Sequence, residues 1–250
     1  MNKKLSLLVE LSREIGREDR QLAILGEGNT SVKLGANRFA VKASGCSLAT
    51  LTKADVAICH ADNILALLNR KNPGDEAIDK TLFDARVNGA GKKPSVEAMF
   101  HAWLLTLPGI NFVGHCHPQT VNQVLCSPRA REFAERRSCP DEVVCCGPAS
   151  VFVPYADPGL ALALEIRKRT VAFIRQSGFT PRLIVLQNHG IIALGGTPQA
   201  VLACLLMAAK AAAIFVGAAQ LGGPNFMVAK EVRRIFSRGD EAYRQRQLKI

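Results

Sequence analysis

The period of hydrophobic positions changes along the chain. From Lys3 to about Arg17, Leu5, Leu8, Leu11 and Ile15 recur three and four residues apart, which predicts a helix with one apolar face. After Gly26 the pattern shortens. Thr30 to Leu34 and Arg38 to Lys42 read as two strands joined by a hairpin through Gly35-Ala36-Asn37. Between Thr52 and Lys93 the pattern predicts a strand, a helix near Ala61 to Asn69 and a second near Glu76 to Arg86, and Pro94-Ser95 opens a further helix to about Leu107. Short apolar runs then predict strands around Phe112, Val143 and Val151. A helix from Pro158 to Ser177, a strand over Leu183 to Leu186, another near Ile191 and two C-terminal helices complete the series. Strands and helices alternate irregularly and a hairpin is present, so the expected fold is a layered α/β domain with a mainly antiparallel or mixed sheet. No G-x-G-x-x-G opens a helix, which argues against a dinucleotide fold.

At 250 residues and 48% hydrophobic, with no linker-like stretch and no internal repeat, the chain is expected to form one domain over residues 1–250. The apolar stretch from Ala200 to Gly222 approaches membrane-spanning length, but Lys210 stands in its middle and would cost several kcal/mol in lipid. A buried core helix is the expectation, and no membrane partner. The N-terminal segment reads as an amphipathic helix and not as a signal peptide, because Glu10 interrupts its apolar run. Eight cysteines form no C-x-x-C pair, the usage of reduced thiols in a cytoplasmic protein.

The net charge of +11 raises the question of nucleic acid. Basic residues cluster at Arg129, Arg131, Arg136 and Arg137, at Arg167 to Arg169, and in the tail from Lys230 to Lys249. Acidic residues interrupt most clusters, and only two tyrosines and one tryptophan are available for base stacking, so no nucleic-acid partner is expected. Solvated helix faces account for most of the charge, and the remainder favours an anionic substrate.

The candidate chemistry lies in two strand-end motifs, Gly114-His115-Cys116-His117-Pro118 and Gln187-Asn188-His189-Gly190, which hold three of the five histidines. Residues two apart on a strand share a face, so His115 and His117 can grip one ion while Cys116 turns away. A third imidazole from a neighbouring strand would complete three neutral ligands and leave an open position, as in catalytic zinc-type sites. The competing reading is a set of half-buried histidines that merely hydrogen-bond. Glu97 has two readings as well, a helix-dipole partner in a first turn or an acid/base group. Gly26 to Ser31 and Ala43-Ser44-Gly45 are turns whose hydroxyls and bare amides suit a phosphate.

Taken in order, Gly28-Asn29-x-Ser31, Ser44-Gly45, Pro94-Ser95-x-Glu97, His115-x-His117 and Gln187 to Gly190 resemble the class II aldolase/adducin family, from about residue 5 to about residue 220. The family contains fuculose- and rhamnulose-phosphate aldolases, the aldolase portions of bifunctional aldolase/short-chain dehydrogenase proteins, a 4-epimerase, a dehydratase and non-catalytic adducin heads. The resemblance implies a three-layer α/β/α fold. It also implies a divalent ion, Zn2+ before Mn2+ or Co2+, on His115, His117 and His189, with Glu97 as acid/base residue. Asn29, Lys42, Ser44, Gly45 and Ser95 are implied at the phosphate, and a homotetramer is implied as the assembly.

The expected reaction is reversible aldol cleavage of a small ketose or ketose 1-phosphate by a metal-dependent lyase, whose ion stabilises the enediolate left when the C3–C4 bond breaks. The alternatives are 4-epimerase, dehydratase or decarboxylase chemistry on the same site, or an adducin-like interaction module. Three departures from the fuculose-phosphate aldolase pattern stand out. Val96 replaces the second serine of P-S-S-E, and no tyrosine lies between Pro118 and Ser150 to protonate the leaving aldehyde, which leaves Tyr155, read as structural, and Tyr243 in the tail. Lys42 stands where that aldolase has a neutral residue, and is either a substrate anchor or a solvated strand lysine.

Overall fold

A computed structural model of the protein describes residues 1–71, 73–89 and 91–248. Seven strands form one sheet: β1 (Asn29–Lys33), β2 (Arg38–Lys42), β3 (Val56–His60), β4 (Phe112–Cys116), β5 (Val151–Val153), β6 (Leu183–Leu186) and β7 (Gly190–Gly195). Their order across the sheet is β3-β2-β1-β4-β7-β6-β5. All neighbours are antiparallel except β5 and β6, which run parallel, so the expected mixed and mainly antiparallel sheet is what forms.

Alternating side chains divide between two apolar layers. Val32, Ala40, Phe112, Cys116, Val185, Ile191 and Ala193 point into one core, and Phe39, Val41, Val113, Ile184, Ile192 and Leu194 into the other. The first core is covered by α1 (Asn2–Ile15), α5 (Gln119–Leu125), α6 (Ala130–Glu135) and α9 (Pro198–Gln220). The second lies under α2 (Ala61–Leu67), α3 (Asp75–Asp84), α4 (Ala98–Leu104) and α8 (Leu160–Ser177). Helices on both faces of one sheet make the three-layer α/β/α architecture. On α1 the predicted stripe Leu5, Leu8, Leu11 and Ile15 is the buried one. Long and apolar enough by length and composition to cross a membrane, α9 instead seats Val201, Leu205, Ala208, Ala212 and Phe215 in the first core.

Three readings of the pattern are corrected. Val143 is not in a strand but in α7 (Pro140–Cys146), whose start carries Pro140 at its first position and Asp141 and Glu142 in its first turn. Those three residues are helix-start signals that outweigh the β-branched run that follows. The C-terminal region after β7 has three helices, α9, α10 (Ala229–Phe236) and α11 (Gly239–Leu248), because Gly222-Gly223-Pro224 and the turn at Ser237-Arg238 each break the run. Finally, Arg137 does not belong to a solvated helix face. It is 1% exposed and donates to the carbonyls of Gly147, Ala134 and Arg136 and to Ser150.

Candidate metal centre

The three motif histidines converge at one end of the central strands. His115 lies on β4, opposite Asn29 of β1 on one side and Ile192 of β7 on the other. His117 follows the end of β4, and its backbone N–H donates to the Leu22 carbonyl at 3.0 Å. His189 sits in the tight β6–β7 connection, where Asn188 takes a left-handed φ of 55° and Asn122 Nδ2 donates to the His189 carbonyl at 3.1 Å. The ring centroids form a nearly equilateral triangle with sides of 4.7, 5.0 and 4.9 Å. One ligand nitrogen from each histidine lies within 4.8 Å of the others. Cys116 turns into the opposite core, as strand alternation predicts.

Two glycines make this approach possible. At Gly28 φ is +66°, and a Cβ there would lie 2.5 Å from the His115 carbonyl oxygen. A Cβ on Gly190 would come within 2.7 Å of His117 Cδ2 and 2.5 Å of the Cys116 carbonyl oxygen.

Hydrogen bonding sets the state of the imidazoles. The Nδ1–H of His115 donates to the Ile191 carbonyl at 2.9 Å, which leaves Nε2 with its lone pair toward His117 and His189. Burial, reinforced by the neighbouring imidazoles, pushes His115 and His117 down to about 3, and burial also lowers His189. All three are therefore neutral near pH 7, the form a metal requires. This donor set fits a divalent ion.

Glu97 closes the inner side of the triangle. It is 8% exposed, with Oε2 3.6 Å from His115 Nε2 and Oε1 3.5 Å from His189 Nε2. The dipole reading puts it within the first helical turn. Instead it is the residue just before α4, and its side chain makes no capping bond. Its carboxylate accepts from Asn29 Nδ2 at 2.5 Å. Asn29 Oδ1 in turn accepts from His101 Nε2, and His101 Nδ1 accepts from the Ser31 hydroxyl at 2.7 Å. A one-way chain, Ser31 to His101 to Asn29 to Glu97, thus holds the carboxylate. Full burial keeps His101 well below its ordinary value and so neutral.

Sequence reasoning misses His101 and the role of Ser31. The signals are present only as spacings: Glu97, just before α4, and His101 within it are four apart, and Asn29 and Ser31 are two apart on one strand face. They acquire meaning only when β1 lies opposite α4.

The remaining predicted residues flank this group. Ala43 and Pro94 form an antiparallel bridge, with Ser44 N–H donating to the Lys93 carbonyl at 2.9 Å, so the Ser44-Gly45 turn and Ser95 lie side by side. Ser44 and Gly45 are exposed, Ser95 is half-buried, and Gly45 has φ +75°. The reading of Lys42 as a solvated lysine is ruled out. It is 2% exposed, and its ammonium donates to the carbonyls of Gly26 at 2.9 Å and Cys46 at 2.5 Å. Burial lowers its proton affinity. Val96 is exposed, and Tyr155 is exposed with its hydroxyl donating to Asp157 at 3.0 Å. Tyr243 is exposed on α11. A cleft of about 810 Å³ opens from His117 between residues 16–27, residues 47–50 and Gln119.

Three histidines and a carboxylate thus meet at one end of the central strands of a mixed sheet, a donor set that fits a metal-dependent protein. Residues 6–216 match the class II aldolase and adducin N-terminal domain, and the chain belongs to that family. Among solved structures, it is similar to the N-terminal class II aldolase domain of a conserved protein from Thermoplasma acidophilum, with 25% identity over 86% of this chain and 95% of that one and a TM-score of 0.69. YgbL from Escherichia coli, described as a candidate aldolase/epimerase/decarboxylase, shares the fold at 20% identity, covering 94% and 100% of the two chains with a TM-score of 0.69. L-fuculose-1-phosphate aldolase from Thermus thermophilus shares it at 15% identity, over 90% and 100%, with a TM-score of 0.62. No curated protein matches the chain by sequence.

Proposed function

We propose that this protein is a metal-dependent lyase that cleaves and forms a carbon–carbon bond in a small ketose or ketose 1-phosphate. The observation that carries this reading is a buried carboxylate within 3.6 Å of two of three convergent neutral imidazoles, held by a hydrogen-bond chain of its own. An adducin-like interaction module has no use for that constellation.

His115, His117 and His189 would hold a divalent ion, Zn2+ in first place, which supplies a Lewis acid for the ketose carbonyl and the adjacent hydroxyl and stabilises negative charge as the C3–C4 bond breaks. In cleavage the C4 hydroxyl proton leaves to solvent as the aldehyde forms and Glu97 delivers a proton to C3; in condensation solvent reprotonates the C4 oxygen and Glu97 takes the C3 proton. Asn29 fixes which carboxylate oxygen is free to do so, because its amide occupies Oε2. Ser31 and His101 keep Asn29 in that orientation. Ser44, Gly45 and Ser95 receive the phosphate, joined by the second amide hydrogen of Asn29 and the third ammonium hydrogen of Lys42, whose other two are spent on carbonyls. The homotetramer and a cytoplasmic location belong to the same reading, and light scattering checks the first.

The decisive experiment incubates Zn2+-, Mn2+- or Co2+-loaded protein with ketoses offered with and without a 1-phosphate, and detects triose phosphate and aldehyde by mass spectrometry. Metal-dependent cleavage is expected. A fully loaded protein that cleaves none of them would direct attention to epimerase, dehydratase or decarboxylase chemistry.

A further inference from the structure

The cleft beside His117 has a charge opposite to that of the protein. The chain carries +11, yet among the described residues that line the cleft none is lysine or arginine, and its charged groups are Glu18 and Glu27. The nearest basic residues in sequence are neutralised: Arg17 pairs with Asp19 at 2.8 Å, and Arg20 pairs with Glu14. Gln21, Ser47, Thr50 and Gln119 supply amides and hydroxyls along the walls.

Glu27 stands at the inner end of this cleft. Its Oε1 lies 3.9 Å from His117 Nδ1, and its Oε2 accepts the Ile24 N–H at 3.1 Å. The segment that carries it is fastened on both sides. Lys42 holds the Gly26 carbonyl, and Gly28 is wedged against the His115 carbonyl. The carboxylate therefore has a fixed position beside the metal centre on the open side, whereas Glu97 occupies the buried side. The cationic and hydroxyl groups suited to a phosphate, Lys42, Ser44 and Ser95, are not among the described residues that line this cleft.

Resting on the ketose reading above, we propose that Glu27 is a specificity-determining residue. It accepts hydroxyls from the uncharged polyol end of the substrate and turns away a second anionic group at that end. A carboxylate accepts from two sugar hydroxyls without loss, and a like charge brought beside it in a half-enclosed cleft is penalised. The substrate class is thus a ketose with one anionic end and one neutral end, and bisphosphates and terminal acids are excluded.

Calorimetry on Zn2+-loaded protein in a Glu97→Gln background, where turnover does not contribute, tests this. The probes are the best-bound ketose 1-phosphate among pentulose and hexulose stereoisomers and the same sugar with a second phosphate on its terminal carbon. Binding of the monophosphate roughly tenfold tighter is expected, with Glu27→Gln reducing the gap to about threefold or less. Glu27→Gln retains an acceptor for the Ile24 N–H, so the loop keeps its anchor. Equal binding of the two ligands, or a gap unmoved by Glu27→Gln, overturns the proposal. Binding of neither ligand overturns it together with the ketose reading. A Glu27-dependent gap in a protein whose native form cleaves no ketose preserves the role of Glu27 and rejects the lyase reaction alone.

Discussion

Two buried polar clusters in this molecule look alike by composition and differ in what they leave open. At α6 and α7, Arg137 spends Nε on the Gly147 carbonyl, Nη1 on those of Ala134 and Arg136, and Nη2 on the Ser150 hydroxyl. Its ion partner Glu142, 3.7 Å away, accepts the Ser138 N–H at 2.7 Å. Each of the three Arg137 nitrogens donates to a protein oxygen, and the cluster closes on itself. At the histidine centre the hydrogen bonds run the other way. The Ile191 carbonyl occupies the back of His115 and the Asn29 amide occupies one oxygen of Glu97, so the front atoms converge on each other. A buried polar cluster is structural when its partners exhaust it and functional when they aim its spare valences at one point.

That contrast can be broken in several places. The largest effect is expected for His117→Ala, which should abolish metal-dependent turnover, by about 10³-fold or more, and lower bound metal measured by atomic emission, while thermal stability of the metal-free protein changes little. Retained stoichiometric metal with full turnover would disprove the centre. Glu97→Gln should keep the metal and lose about 10²–10⁴-fold in kcat. Arg137→Ala should do the reverse. Unpairing buried Glu142 costs about 3–5 kcal/mol, visible as a lower urea midpoint, with kcat per folded molecule preserved. A loss of kcat without a loss of stability would show that the closed cluster serves the chemistry after all.

Smaller effects sharpen the distinction. Ser31→Ala removes the first donor of the chain behind Glu97 and should cost about 1 kcal/mol of stability and roughly tenfold in kcat, with KM nearly unchanged. The pH dependence of the metal-free protein probes the histidines directly. His115 and His117 are held near 3 when folded against 6.5 ordinarily. Between those values the unfolded chain binds more protons, so stability rises with pH through the window and is lost on acidification from pH 6.5. The slope is about 1.4 kcal/mol per pH unit for each residue at its steepest. Urea titrations in chelator at pH 7.5 and pH 5 measure it, and identical midpoints would contradict burial of the neutral rings.

Much of this architecture is legible in the chain because its signals are local. Arg38–Lys42 is the strand its alternation predicts, and the motifs at His115, His117, His189 and Glu97 lie at strand or helix ends where side chains converge. What escapes is what only register supplies. His101 is an unremarkable helix histidine until Asn29 and Ser31 are laid across from it, and nothing in sequence pairs residues 72 and 70 positions apart. Val143 is a miss of another kind: the strand composition of Val143-Val144-Cys145-Cys146 masks the helix-start residues Pro140, Asp141 and Glu142 that stand just before it in the chain. Arg137 reads as solvated because a run of arginines carries no mark of which one the fold will enclose.

Gly28 and Gly190 show that part of this centre is made of missing atoms. Neither donates an electron pair or a proton, yet a methyl group on either would collide with the backbone or ring that aims a histidine. Ligand spacing is thus set by two voids as firmly as by three imidazoles. An inventory of reactive side chains would miss both positions, whereas a saturation screen scored on metal retention should find them among the least tolerant in the chain. Redesign of the site for another ion or substrate has freedom along the cleft walls and none at these two points, where the only admissible side chain is a hydrogen atom.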